Sequence, residues 1–209
     1  MRELRTAAIA IVAISLAFGL AYPLAMTGAG QAVFGGPADG SLVKRDGKVV
    51  GSRLIGQDFS RDTGRKDKDG NAILAPDLRY FQSRPSATGY SASATFFNNL
   101  GPNQQDLADA LKANVKTYLD RERPTTPSLR AGTIPSDAVT TSASGVDPAI
   151  SEGNARIQAY RIARQRGLDR ARVLELVQEN TSHPLLGLGG EGSVNVLELN
   201  LALDKETGR

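Results

Sequence analysis

The sequence predicts an α+β protein with one N-terminal transmembrane helix, followed by a single extracytoplasmic mixed α/β domain. Three observations lead there. Thr6 to Met26, TAAIAIVAISLAFGLAYPLAM, is uncharged over 21 residues. A helix of that length covers roughly 31 Å, against a bilayer hydrocarbon core of about 30 Å. Downstream, runs with strand character and Asp-Gly or Gly punctuation are interspersed with stretches of helical apolar spacing, and none is apolar for long enough to make a second span.

Within the first stretch, Ile9, Ile11, Val12, Ile14, Leu16, Phe18, Leu20 and Leu24 favour insertion. At roughly 0.3 to 0.6 kcal/mol each they sum to on the order of 2 to 5 kcal/mol. A cleaved signal peptide fits less well, because its apolar core is usually about 7 to 15 residues long and Thr27-Gly28-Ala29 after Pro23 makes a poor cleavage site. Ala13, Ala17 and Ala21 recur every fourth residue, as do Ser15 and Gly19, a spacing that lets a second helix approach closely in lipid. Arg2 and Arg5 precede the helix, and no positive charge follows it until Lys44. Positive residues stay on the cytoplasmic side, so residues 1–5 are expected in the cytoplasm and the domain outside the inner (cell) membrane.

Length and composition narrow the rest. The 209 residues leave enough chain after the anchor for one domain with a proper core. A net charge of +3 and a pI near 9.3 are too mild to argue for nucleic acid. The absence of cysteine excludes disulfides, thiolate metal sites and a cysteine nucleophile, and His183 is the sole histidine.

In order, residues 27–39 read as a glycine-rich exit loop, and 40–209 as the domain. Ser41–Arg45 and Lys48–Ile55 form a hairpin about Asp46-Gly47, a pair that tolerates the positive φ of a type I′ turn. Arg61 to Pro76 reads as a charged surface excursion. Asp67-x-Asp69-Gly70-Asn71 only faintly suggests a calcium loop, since Leu78 stands where a bidentate glutamate belongs. Tyr80 to Ala87 is expected to be extended and anchored, and Ser91 to Pro102, with Phe96 and Phe97, to be a loop. A helix capped by Asn103 runs to about Arg121 and buries Leu107, Ala108, Leu111, Val115, Tyr118 and Leu119.

Ile134 to Ile150 is rich in hydroxyls and glycine. Ser142, Ser144 and Asp147 either contact a ligand or cap the helix near Ser151. A hydrolase there would need a base beside the serine. Two helices follow, Glu152–Arg166 and Arg170–Asn180, broken at Gly167 and capped at Asp169. Their arginines, Arg156, Arg161, Arg164, Arg166, Arg170 and Arg172, read first as a solvated basic face. Gly187 to Gly192 spells G-x-G-x-x-G, but the dinucleotide fingerprint needs a helix next, and Val194 to Leu203 alternates as a strand would. Asp204-Lys205-Glu206-Thr207-Gly208 interrupts the Asp-Lys-Thr-Gly of P-type ATPases with a glutamate, no phosphorylation domain is expected to follow it, and no Walker loop is present.

Several segments together are specific to one family. They are Tyr22-Pro23-Leu24, Gly40-Ser41-Leu42, Gly51-Ser52-Arg53-Leu54-Ile55-Gly56-Gln57, Tyr80-Phe81 with Arg84-Pro85-Ser86-Ala87, Asn99-Leu100-Gly101-Pro102, Ile134-Pro135-Ser136-Asp137, Ala143-Ser144-Gly145-Val146-Asp147-Pro148, Ile150-Ser151, Arg166-Gly167-Leu168 and Val194 to Asp204. Through them the chain resembles, nearly end to end, the C subunit of the Kdp potassium-transporting P-type ATPase. It departs at Arg61–Asp77, which looks like an insertion, and at Ala138 and Ala149.

The resemblance implies a non-catalytic accessory subunit of an ATP-driven potassium uptake complex. It would assemble and stabilise a channel-like potassium subunit and a P-type ATP-hydrolysing subunit, and the family's role is described as a catalytic chaperone that raises ATP affinity. ATP would then be met through the hydrolysing subunit, and no cofactor held firmly. The same resemblance marks Arg84, Pro85, Ser86, Ser144, Gly145, Asp147, Asn195 and Asn200 as structural or partner-facing, with no catalytic or metal residues. The alternative from another class is a stand-alone, membrane-tethered extracytoplasmic ligand-binding protein or hydrolase with its site in Ile134–Ile150.

Overall fold

The computed structural model describes residues 1–91, 93–94, 99–183 and 190–208. The calls on Phe96 and Phe97, and on the first half of the glycine run, residues 187–189, lie outside the described residues. The chain is a mixed α/β protein with one long apolar N-terminal helix, and it divides into two units, Met1–Ser52 and Arg53–Arg209.

The first unit opens with α1 (Arg2–Leu16), one wide π turn (Ala17–Ala21) and α2 (Tyr22–Ala38), continuous over 37 residues and with no buried side chain. Pro23 has no N–H and its ring crowds the carbonyl four residues back, and a widened turn just before it relieves that clash. The expected exit loop, residues 27–39, is corrected here: the helix continues to Ala38. Glycines weaken a helix, but residues 27–38 extend one already formed, and propagation escapes the cost of nucleation. The regularity fails only at Phe34 (φ −128°, ψ 39°), just before Gly35-Gly36.

Strands β1 (Leu42–Arg45) and β2 (Lys48–Ser52) form the hairpin expected, with Asp46 and Gly47 at φ 49° and 76° in the turn. Ser41 N–H donates to Gly36 O at 2.9 Å and Ser52 Oγ to Gly40 O at 2.6 Å, fastening the hairpin to the helix end.

In the second unit, the charged surface excursion is present and mostly exposed, and it has a regular form: residues 60–76 are an antiparallel hairpin, β3 (Ser60–Lys66) and β4 (Ala72–Pro76). Asp67 closes its tip by accepting from the N–H groups of Asp69 and Asn71 at 2.9 and 2.8 Å. Helix α3 (Gln105–Glu122) starts after Gln104, one residue later than Asn103 would cap it. Strand β5 (Ala149–Ser151) leads into α4 (Glu152–Arg166), which stops at Gly167 in the left-handed conformation. Then come α5 (Arg170–Glu179), capped by Asp169, β6 (Thr181–Ser182) and β7 (Ser193–Asn195).

The last correction concerns Val194–Leu203. The strand ends at Asn195, whose side chain accepts from Glu198 N–H and starts α6 (Val196–Glu206). Buried positions 196, 197, 199, 200, 203 and 204 repeat with the helical period. The leucine alternation misled because Leu197, Leu199 and Leu203 also fall on the buried arc of a helix, with Leu201 outside it. Past Val196 the residues are good helix formers, with no β-branched residue among them.

The three-stranded antiparallel sheet, β5-β7-β6, packs with α4, α5 and α6 around Phe81, Ile150, Ala159, Ile162, Val173, Val177, Val194, Leu199 and Leu203. A second cluster, Tyr118, Leu129, Ala138 and Val139, lies on α3 and the turns that follow it.

Candidate functional site

Most of the residues singled out in the sequence converge on one feature, an extended strap from Tyr80 to Tyr90. It has no strand partner, so its backbone polar groups need side chains. Two amides supply them. Asn200 of α6 accepts from Phe81 N–H at 2.9 Å and donates to Phe81 C=O at 3.0 Å. Gln158 of α4 does the same for Gln82, at 2.8 and 3.1 Å. Each amide presents the acceptor and donor that a neighbouring strand would present. Phe81 is fully buried between them. Asn200→Ala leaves two buried backbone groups unpaired, an expected loss of about 2 to 6 kcal/mol at about 1 to 3 per group. Thermal unfolding of the full chain in detergent checks it, with Ala202→Gly on the same helix as the propensity control.

Past Phe81 the strap is tied to the 140–147 loop. Arg84 donates from Nε to Thr140 O at 3.0 Å, from Nη2 to Thr140 Oγ1 at 3.0 Å and from Nη1 to Asp147 at 3.2 Å. Pro85 accepts at its carbonyl from Ser142 N–H at 3.3 Å, and Ser86 Oγ donates to Gly145 O at 2.5 Å. Gly56 enters the same seam. Its N–H donates to Val146 O at 2.7 Å, and a Cβ there would stand 2.3 Å from Asp147 O, so only glycine fits. Asn195, besides capping α6, donates to Arg53 O at 2.8 Å, while Arg53 pairs with Glu198 at 2.6 Å. The structure thus brings together Arg84, Pro85, Ser86, Gly145 and Asp147, with Ser144 on the same loop and Asn200 on the strap's other side. Asn195 stands at the start of α6, and Ala13, Ser15, Ala17, Gly19 and Ala21 lie exposed in the other unit.

The hydroxyls are engaged locally. Ser142 Oγ accepts from Gly145 N–H at 3.0 Å, Ser144 Oγ from Val146 N–H at 3.2 Å, and Asp147 from Ala149 N–H at 3.0 Å. None of the three caps α4. Ser151 does that itself, and Asp137 clamps the corner by accepting from Ser151 N–H, Ser151 Oγ and Asn154 Nδ2 at 2.9, 2.7 and 2.9 Å. Among the described residues no group of His, Asp and Glu could hold a metal ion. Beside the strap, a groove of about 670 Å³ is lined by Leu100, Leu107, Leu111, Asn114, Val139 and Thr140, among others. Its lining carries amides and hydroxyls but no Lys or Arg. A triphosphate calls for cationic donors, so these residues do not fit ATP.

Tyr90 secures the strap's end by donating to Arg84 O. Burial pushes its hydroxyl up to about 12, and burial moves Tyr118 upward as well. An unfolded tyrosine ionises near 10. The folded form therefore holds its protons longer, and this contribution is whole below about pH 10 and shrinks as pH rises toward 12. The expected result is a thermal midpoint that falls between about pH 10 and 12, less steeply in Tyr90→Phe than in the parent chain.

Reasoning from sequence missed Gln158 and Arg161, and misread the arginines. Arg161 and Arg166 are almost wholly buried, pairing with Glu122 at 3.1 Å and Asp204 at 2.9 Å. Arg156 pairs with Glu152, and Arg172 with Glu175, Glu179 and Glu206. The expected solvated basic face is therefore only partly solvated: Arg164 and Arg170 are exposed as expected, with Arg170 over the Tyr160 ring, while the others form internal or lateral ion pairs. A signal was present: Asn154, Gln158 and Arg161 occupy the same helical stripe as Ala155, Ala159 and Ile162. Polar residues at core phase mark a buried network.

Comparison with known proteins adds the context. The family described as "KdpC: K+-transporting ATPase, c chain" matches residues 4–205. A protein of Polaromonas naphthalenivorans is 47% identical over 204 residues, covering 96% of this chain and 93% of its own. Relatives from Cereibacter sphaeroides (46%, covering 98% and 97%) and Bradyrhizobium diazoefficiens (44%, covering 98% of each) are equally full-length matches. All three are named potassium-transporting ATPase KdpC subunit.

Proposed function

This chain belongs to the KdpC family, making it an accessory subunit of the K+-transporting Kdp ATPase complex, and from that premise we propose that it serves the complex by assembly and not by chemistry of its own. The observation that carries this reading is the 37-residue apolar helix, unburied along its length, joined to a unit whose buried polar groups are engaged in holding a strap. The hydroxyls of Ile134–Ile150, which a tethered hydrolase would use, serve as turn caps.

The partners we propose are the channel-like potassium subunit and the P-type ATP-hydrolysing subunit, with the bilayer as third neighbour and no nucleic acid. The N-terminus lies in the cytoplasm and the domain outside the inner membrane, in line with Arg2 and Arg5 flanking the helix. In that placement ATP is reached only through the hydrolysing subunit.

Expression of the subunits together, followed by purification on a tag of this chain in mild detergent, is expected to recover two larger membrane proteins. Replacing Thr6–Met26 by a cleavable signal is expected to lose them. Recovery of the intact chain alone would overturn the reading.

A further inference from the structure

The β1–β2 hairpin carries a surface that neither the family nor the strap accounts for. Within the first unit, Leu42 and Val49 are 50% and 54% exposed. The register sets Lys44 opposite Val49, so Leu42, Lys44 and Val49 share one face. Lys48 is exposed beside the turn, and Arg45 neighbours Asp46 at 3.9 Å. Residues 42–52 therefore hold three cations against one carboxylate, interleaved with bare apolar side chains.

Distance from the bilayer decides what this surface meets. With Arg5 in one headgroup layer and a helix inclined by the usual 20° or so, about 21 residues cross the hydrocarbon. The helix then emerges near residue 27. Phe34, 63% exposed and the point where the helical geometry breaks, lies about 10 Å further on, at the outer edge of the opposite headgroup layer. Ala38 ends the helix one turn later, and the hairpin follows after three residues, held by the Ser52–Gly40 bond. That is within about a Debye length of the lipid charges.

We propose that the β1–β2 hairpin lies on anionic lipid headgroups, with Lys44 and Lys48 on phosphates and Leu42 and Val49 pressed into the interface. Each cation near such a surface strengthens association by about fivefold. A weak contact is sufficient, because the helix already confines the hairpin to the membrane, so docking is intramolecular. The proposal rests on the reading that Arg2–Ala38 crosses the bilayer. Carbonate extraction of the same vesicles tests that reading separately.

The chain contains no cysteine, so Val49→Cys offers a unique labelling site in the full-length protein. A fluorophore there is read against an aqueous quencher in vesicles of phosphatidylcholine alone and of phosphatidylcholine with phosphatidylglycerol. In the anionic vesicles, protection of about fivefold or more is expected, lost in high salt and in Lys44→Glu/Lys48→Glu, and unaffected by free inorganic phosphate. A label at Leu74→Cys, on the other hairpin, is expected to stay accessible in both. Equal accessibility at position 49 in the two lipids overturns the proposal. So does equal protection in neutral lipid, or protection that appears only when the partner subunits are reconstituted alongside.

Discussion

Glu122→Ala is expected to lower the stability of this protein by about 3 to 5 kcal/mol, the usual consequence of leaving a buried charge without its partner. Glu122 on α3 is fully buried and Arg161 on α4 nearly so, with Arg161 Nε 3.1 Å from both carboxylate oxygens. Arg121 adds a second contact to Glu122 at 2.7 Å. Arg161 also donates to the carbonyls of Leu78 and Tyr80 and to Gln158. One guanidinium thus joins α3, α4 and the start of the strap. Burial pulls the Arg161 pKa down, but an arginine stays cationic in any protein, so the alanine variant must house a bare cation.

Against a total stability of about 5 to 15 kcal/mol, such a loss is a large fraction. At about 2 to 4 °C per kcal/mol for a chain of this size, the midpoint falls by roughly 6 to 20 °C. Circular dichroism of the full chain in detergent reads it directly. The double variant Glu122→Leu/Arg161→Met is expected to lose less than the two single variants combined, since it removes both charges together. A Glu122→Ala midpoint matching the parent would show that the pair does not hold α3 in place.

The second large effect concerns the helix. Ile14→Lys together with Phe18→Lys is expected to abolish stable insertion. Each lysine near the centre of a span costs about 2.5 to 3.5 kcal/mol, and the pair outweighs the roughly 2 to 5 kcal/mol by which the large apolar residues favour it. After carbonate washing, the parent chain should remain in the membrane pellet and the variant should be in the supernatant. Loss of the partner subunits in co-purification should accompany it. A variant that stays in the pellet would mean that Arg2–Ala38 is not the element holding the protein to the membrane.

Legibility followed the range of the interactions. Asp46-Gly47 was readable because a two-residue turn answers to its own φ angles. Asp169 and the break at Gly167 were readable for the same local reason. Residues 27–39 were not, because their glycines and proline read as loop, while the helix through Ala38 continues one already formed and so escapes the cost of nucleation. Residues 61–76 look irregular in composition, yet they pair with each other across a turn, and pairing is not a property of either arm alone. At the C-terminus, Leu197, Leu199 and Leu203 fit both periods, and the docking of α6 onto α4 and the strap chose helix.

The strap shows the same division. Arg84, Asp147 and Asn200 were marked by resemblance, but their roles were invisible along the chain. The hydrogen bond from Arg84 to Asp147 spans 63 positions, and that from Asn200 to Phe81 spans 119.

What the sequence by itself determined was the uncharged helix, the type I′ hairpin, the Asp169 cap with the break at Gly167, and the family. Each depends on residues within a few positions of one another, or on a whole-chain pattern that needs no contacts. Tertiary structure alone decided that Arg161 and Arg166 of α4 are internal, that Gln158 and Asn200 replace a missing strand, and that α6 is a helix. Burial creates those facts: a guanidinium is a solvated charge until a carboxylate from another helix meets it away from water, and a side-chain amide becomes a strand's substitute only where an unpaired backbone has nowhere else to turn.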